Sequence, residues 1–302
     1  MPSENYRKLQ GSSDPKLGDD ERIVWHYTSW DALQGMVQKK KLWATHVMYL
    51  NDKREMRHGI DLFKKMLEDT KHGGAKQVLE RMDVLHGNSA FAFSTTESFD
   101  DLSQWRGYAR AQTPVAIGFG VAALRRLGAA YGFSFEPCVY GDSKEPLNNL
   151  FAELESEHDS MAKAESSIDE ADSSAPDARR SIRRSYNRLV TTGVPILMRS
   201  ISPLMKDSAF KDEAEFRLVL TGGFPVNPKL EVDFRIRGDL VIPFVKVPTG
   251  VPGGKMIEDG LFRGILIGPS VSADLIVAST SNYLRLNDVD ALVAESTIPY
   301  RW

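Results

Sequence analysis

The stretch FKDEAEFRLVL, Phe210–Leu220, sets an apolar run behind two glutamates. In an extended chain the side chains alternate, so Glu213, Glu215 and Arg217 share one face. Phe216, Leu218 and Leu220 then take the other face, which is the pattern of a strand with one buried side. Two carboxylates and a guanidinium at the start of so apolar a strand fit an exposed ion pair, which contributes little. They also fit the polar wall of a cleft.

The same alternation or dense β-branching recurs on both sides of this strand. RIVWHYTS, SAFAFST, TPVAIGFG and FSFEPCVYG read as strands upstream, and LEVDFRIRG, LVIPFVKV, RGILIGP and ALVAESTIPYR downstream. KLWATHVMYL is strand-like or mixed. Helical spacing marks WDALQGMVQKKK behind the cap Ser29, NDKREMRHGIDLFKKMLEDT behind Asn51 or Asp52, AKQVLERMDVLH, VAALRRLGAAYG and SADLIVASTSNYLRLN. ESFDDLSQWRGYA reads as a loop followed by a short helix. Strands dominate both ends, so the class is α+β: a mixed sheet with flanking helices. Residues 1–21 read as a loose arm and 22–302 as one domain. From about 143 to 207 the chain turns polar and helical, broken by Pro176, which predicts a helical insertion within that domain.

With 42% hydrophobic and 26% charged residues the chain has the composition of a globular protein, and its net charge of −3 gives no global attraction to nucleic acid or anionic lipid. Its one cysteine, Cys138, excludes an internal disulfide and a cysteine-rich zinc site, and its apolar neighbours predict a buried thiol. The polar N-terminus is no secretory signal and no window is apolar enough to span a membrane, so the expected location is the cytoplasm.

Beyond the opening stretch, two groups could carry chemistry. In WHYTS, His26 ends a strand just before a helix cap. In FAFSTTESFDDLSQWRGYA, Phe91, Phe93, Trp105 and Tyr108 gather, and Trp105 and Tyr108 are three apart on a helix. These aromatics suit either the core or a clamp for a flat ring. His58 and His72 lack ligand spacing, no phosphate loop is present, and no metal site is expected. ARRSIRRSY, with Arg179, Arg180, Arg183 and Arg184, is a basic helical face that suits solvent or a phosphate-bearing partner.

The order HYTS, LWAT, LNDKRE, FAFS, LSQWRGYA, VAIGF, DEAEFRLVL, ESTIPYR resembles, over roughly residues 23–302, a bacterial family known only as a domain of unknown function. The succession of histidine, aromatic and glutamate on separate elements is more distantly similar to the His–Tyr–Glu branch of the ADP-ribosyltransferase superfamily. There H-x-T ends a strand, as in HYTSWDAL, and a glutamate opens an apolar strand, as in EFRLVL. Glu213 with Glu215 resembles the ExE pair of other branches. HY stands here in place of the usual HG, KLWATHVMYLND has no clear counterpart, and the second aromatic is Trp105, Tyr108 or Tyr49.

This resemblance implies a split, mixed or antiparallel sheet and NAD as a substrate. Glu215 would stabilise the ribose cation formed as the nicotinamide bond breaks. Glu213 would orient or deprotonate the acceptor. His26, assisted by Thr28 and flanked by Tyr27 and Ser94, would hold the ribose, and Trp105 or Tyr108 would stack on nicotinamide. Arg217 or Arg106 would meet the pyrophosphate. The acceptor would be a protein, a nucleic acid or water, and the setting a toxin or phage-defence effector with an antitoxin or partner protein. Two alternatives stand beside it. One is a nucleotide-binding sensor without turnover. The other is a nuclease with Asp52, Glu55, Glu213 and Glu215 on a divalent ion, which lacks the usual E-x-K lysine because Arg217 stands there.

Overall fold

The computed structural model describes residues 1–50, 55–69, 78, 80, 90–109, 113–167, 175–220 and 230–299. The strands are β1 (Ile23–Ser29), β2 (Lys41–His46), β3 (Phe91–Thr96), β4 (Pro114–Gly120), β5 (Phe133–Pro137), β6 (Val139–Tyr140), β7 (Met205–Lys206), β8 (Glu215–Leu220), β9 (Glu231–Arg237), β10 (Leu240–Pro248), β11 (Phe262–Ile267) and β12 (Leu292–Glu295). Among the described residues, ten of these form one mixed, largely antiparallel sheet, and β6 pairs with β7 apart from it. The class is α+β, as the strand and helix patterns predict.

Strand β3 is the branch point of the sheet. One edge pairs with β8 from Ala92↔Val219 to Thr96↔Glu215. The other edge is shared: β2 takes Phe91 and Ala92, and β1 takes Thr96. Among the described residues, Phe93–Thr95 therefore have no strand partner on that side, and the sheet opens there. From the opening β1, β4, β11 and β12 run one way, and β2, β10 and β9 the other.

Alternation divides the apolar residues between two faces. Val24, Val115, Ile117, Phe119, Phe216, Leu218 and Leu220 face a core shared with helices α2 (Trp30–Lys39), α5 (Val121–Tyr131) and α9 (Ala273–Leu286). Ile23, Trp25, Tyr27, Ala116 and Leu266 face the other side, beneath α1 (Glu4–Gly11) and α4 (Leu102–Tyr108).

Helix α1 lies within the segment expected to be a loose arm. Ser3 caps it, its Oγ accepting from Tyr6 N at 3.2 Å. Tyr6 and Leu9 are buried against the sheet. A Cβ at Gly264 would collide with Leu9 Cδ2, so glycine there opens the seat for this helix. A two-residue apolar anchor in a polar segment gives too weak a periodic signal to be read from sequence.

Over the segment expected to be a helical insertion the chain forms α6 (Glu145–Ser167), α7 (Ala175–Arg188) and α8 (Val194–Ile201), and Pro176, expected to break it in two, stands in the first turn of α7. The segment has its own core, in which Leu147, Leu150, Leu154, Tyr186, Val190 and Met198 meet Ile60, Phe63 and Leu67 of α3 (Glu55–Asp69). The expected caps Asn51 and Asp52, the histidine His72 and nearly all of the helix expected over AKQVLERMDVLH lie outside the described residues. Cys138 is buried, as its neighbours predict. Among the described residues no helix is long and apolar enough to cross a membrane.

Candidate active site at the opening of the sheet

Strand β8 starts at Glu215 because the chain before it is helical. Asp207 caps a 3-10 helix, Ser208–Glu213, and Ala214 follows in the left-handed region with φ 41°. Glu213 is therefore not part of the strand, which corrects the reading of one extended face from Glu213 to Arg217. The turn still aims Glu213 into the cleft that Glu215 and Arg217 line. Phe216, Leu218 and Leu220 take the opposite, core face as alternation requires.

Glu215 is 7% exposed, Arg217 1% and Lys206 2%, so three charges are buried together. Arg217 grips the carboxylate with both edges of its fork, Nε to Oε1 at 2.7 Å and Nη2 to Oε2 at 2.9 Å. Its Nη1 donates to Pro203 O at 2.6 Å. Lys206 Nζ bridges the two glutamates, 2.7 Å from Glu215 Oε2 and 2.6 Å from Glu213 Oε2. Tyr108 donates to Glu213 Oε1 at 2.5 Å, and Tyr140 OH accepts from Glu215 N at 2.7 Å. Burial alone would raise the Glu215 pKa, but the Arg217 and Lys206 cations override it and hold the carboxyl at about 2. Burial would lower Lys206, and the Glu215 charge outweighs that and raises it. Burial, then Glu213, raises the Tyr108 phenol.

His26 reaches across the opening to β3. Its Nδ1 lies 2.8 Å from Ser94 O and its ring stacks near Phe93, 4.7 Å between centroids. A carbonyl only accepts, so Nδ1 carries the proton. Burial lowers the His26 pKa against the opposing pull of that carbonyl. Burial thus favours the neutral ring, in which Nε2 is a hydrogen-bond acceptor.

The cleft encloses about 920 Å³, open solvent included, and lies against the unpaired edge of β3. His26, Tyr27, Ser94, Tyr108, Glu213, Glu215 and Arg217 line it, joined by Tyr49, Trp43, Thr45, Gln104, Lys206, Arg235 and Arg237. Four cationic side chains stand against two carboxylates there, a surplus of two positive charges. Among the described residues no group of three or more histidines, cysteines or carboxylates is placed to hold a metal. Asp52 of the nuclease alternative lies outside the described residues.

Three expected site residues are not in the lining. Trp105 is fully buried beneath β1, edge-on to Tyr27 at 4.7 Å, with Nε1 donating to Asp100 Oδ1 at 3.0 Å. It is a core residue, while Tyr108 one turn on is 41% exposed toward Glu213. Arg106 and Thr28 also lie outside. Tyr27 forms part of the wall, but its hydroxyl is engaged, donating to Ser98 O and accepting from Asp101 N. His58 bonds Gly141 O at 2.9 Å, a local structural contact.

Lys206, Tyr140, Trp43, Arg235 and Arg237 were not singled out from the sequence. Lys206 lies nine residues before Glu215 and reaches it only through the turn between β7 and β8, so no spacing rule finds it. The DFRIR stretch did carry a signal, since Arg235 and Arg237 stand at alternate positions and share one face of a strand.

The family described as "Protein of unknown function (DUF2971)" matches residues 104–218, less than half of the chain. The match takes in Gln104, Tyr108, Lys206, Glu213, Glu215 and Arg217, and leaves out His26, Ser94 and Arg235. No curated protein and no solved structure matches the chain.

Proposed function

We propose that this cleft binds NAD and cleaves its nicotinamide–ribose bond, passing ADP-ribose to a macromolecular acceptor or to water. One observation carries the reading: a histidine held by Ser94 O, a glutamate clamped by Arg217 and Lys206, a second, more exposed glutamate and an exposed tyrosine converge in one cleft with surplus positive charge. That set suits a flat, hydroxylated, phosphate-bearing molecule.

The chemistry follows from the atoms. As the C–N bond breaks, its electron pair goes to nicotinamide and positive charge develops on the ribose. Glu215, held at about 2, is a poor base at neutral pH but a fixed acceptor for a ribose hydroxyl. His26 Nε2 supplies a second acceptor. The Glu213 side chain is 21% exposed against 8% for Glu215, so it is the carboxylate an incoming nucleophile can reach. It takes the acceptor's proton as the new bond to the ribose forms. Tyr108 and Lys206 orient it. Tyr108, and no longer Trp105, is the aromatic for the nicotinamide ring.

A second reading has its own support. Lys206 and Arg217 neutralise Glu215 almost completely, which weakens its pull on a ribose cation and favours a sensor that binds a nucleotide without turnover. Incubating the protein with NAD and following nicotinamide by chromatography decides between them. Turnover is expected to fall about a hundredfold or more in Glu213→Gln, at an unchanged melting temperature. Saturable NAD binding with no nicotinamide release would establish the sensor. Magnesium-dependent cleavage of nucleic acid without NAD would overturn both.

A further inference from the structure

Strand β9 presents Arg235 and Arg237 to the mouth of the cleft, while Phe234 and Ile236, which alternate with them, point to solvent, 62% and 81% exposed. The two arginines are successive on one face, about 7 Å apart along the strand. Neither pairs with a carboxylate among the described residues. The two acids on β9 itself, Glu231 and Asp233, are both held by Lys246, at 2.9 and 2.8 Å. The cleft's own acids are held by Lys206 and Arg217.

Arg235 is built in rather than loosely placed. Its guanidinium lies 5.7 Å from the ring centroids of both Trp43 and Phe244, and Nη2 donates to Thr45 Oγ1 at 3.0 Å. Its Nε is buried with no partner. Burial and the Arg237 charge both press against its protonated form, so an anion there would relieve a standing cost. Arg235, Arg237 and Tyr108 also line a shallower groove, with Gly107 and Ile236, that continues the cleft outward.

We propose that Arg235 and Arg237 form a diphosphate subsite at the cleft mouth, so that the ligand is a nucleoside diphosphate or a dinucleotide with its phosphates at β9. This deepens the nucleotide reading of the cleft and rests on it. It also replaces Arg217 and Arg106 in that role, since Arg217 is spent on Glu215 and Pro203 and Arg106 lies outside the lining. Two planar forks side by side suit a group with four or more peripheral oxygens, where each can bind two.

The test is calorimetric titration of the full chain with ADP, adenosine, inorganic pyrophosphate and a short single-stranded oligonucleotide. Wild type is compared with Arg235→Gln, Arg235→Lys and Arg237→Gln. ADP affinity is expected to fall about 10- to 100-fold in either glutamine variant while adenosine binding holds, and wild-type affinity for ADP and pyrophosphate should fall with added salt. Arg235→Lys should recover part of the loss, because it keeps the charge and gives up the fork. Arg235 packs against two rings, so its loss could disturb the fold; Arg237 is exposed, and its variant tests the charge alone. Unchanged ADP affinity in Arg237→Gln, equal losses for ADP and adenosine, or binding of the oligonucleotide alone would each overturn the subsite. Arginine-dependent ADP binding without nicotinamide release would leave the subsite standing and remove only the cleavage reaction.

Discussion

Glu215 is an anion fixed by two cations, and that has a consequence for stability. Its carboxyl is depressed in the fold from the ordinary 4.5 to about 2. A depressed acid contributes stability that is present above its unfolded pKa and lost as pH falls through the folded one. The window therefore runs from about 4.5 down to about 2, and the contribution is about 3 kcal/mol. Melting temperature should drop steeply across that window in the wild type and less steeply in Glu215→Gln. At pH 7 the same variant should be less stable by about 3–5 kcal/mol, because Lys206 and Arg217 are left buried without their counter-charge. Glu213→Gln should change stability far less, since that side chain is partly in water. Equal acid sensitivity of Glu215→Gln and wild type would show that the buried pair is not the titrating group.

At the scale of elements, α1 is a tie rather than a tail. Tyr6 donates to Asp100 Oδ2 at 3.0 Å, Asn5 donates to Val293 O at 3.0 Å, and Thr297 N donates to the same Asp100 Oδ2 at 2.9 Å. One aspartate thus joins the first helix, the approach to α4 and the segment after β12. Removing residues 1–11 should expose Trp25 and cost roughly 2–5 kcal/mol from the loss of two buried anchors. Urea denaturation measures it, and an unchanged midpoint would restore the loose-arm reading. The N-cap of α2 is simpler. Ser29 Oγ accepts from Ala32 N at 3.2 Å, so Ser29→Ala should cost about 1 kcal/mol and leave nucleotide affinity as it was.

Across the whole molecule the helical insertion and the sheet are joined at the site. The insertion's core takes in α3 and Met205, and the next residue, Lys206, bridges both glutamates. Pro203 O receives Arg217. Leu154→Ala, at a fully buried position of α6, should therefore destabilise the protein by about 2–5 kcal/mol in a single cooperative transition. Separate melting of the insertion, with NAD or ADP affinity untouched, would show the two cores to be independent.

Most strands and most helices were legible in the sequence because each rests on a local period: Phe216, Leu218 and Leu220 alternate in any α+β fold that buries them, whereas β7 falls in a stretch that reads as helical. His26, Ser94, Tyr108, Glu213, Glu215 and Arg217 became candidates through their motifs and the resemblance those motifs carry, and all six line one cleft. Local patterns could not tell Trp105 from Tyr108, since helix spacing makes them neighbours and only the packing under β1 turns one inward. They could not find Lys206, whose partners depend on a turn, nor free Arg217 for a ligand, since its engagement depends on a carbonyl 14 residues away. By itself the sequence determined the alternation within its clearest strands, as at Phe216, Leu218 and Leu220. The tertiary structure decided which charges cancel and which remain to meet a ligand, because Coulomb energies depend on distance and burial, and sequence spacing sets neither.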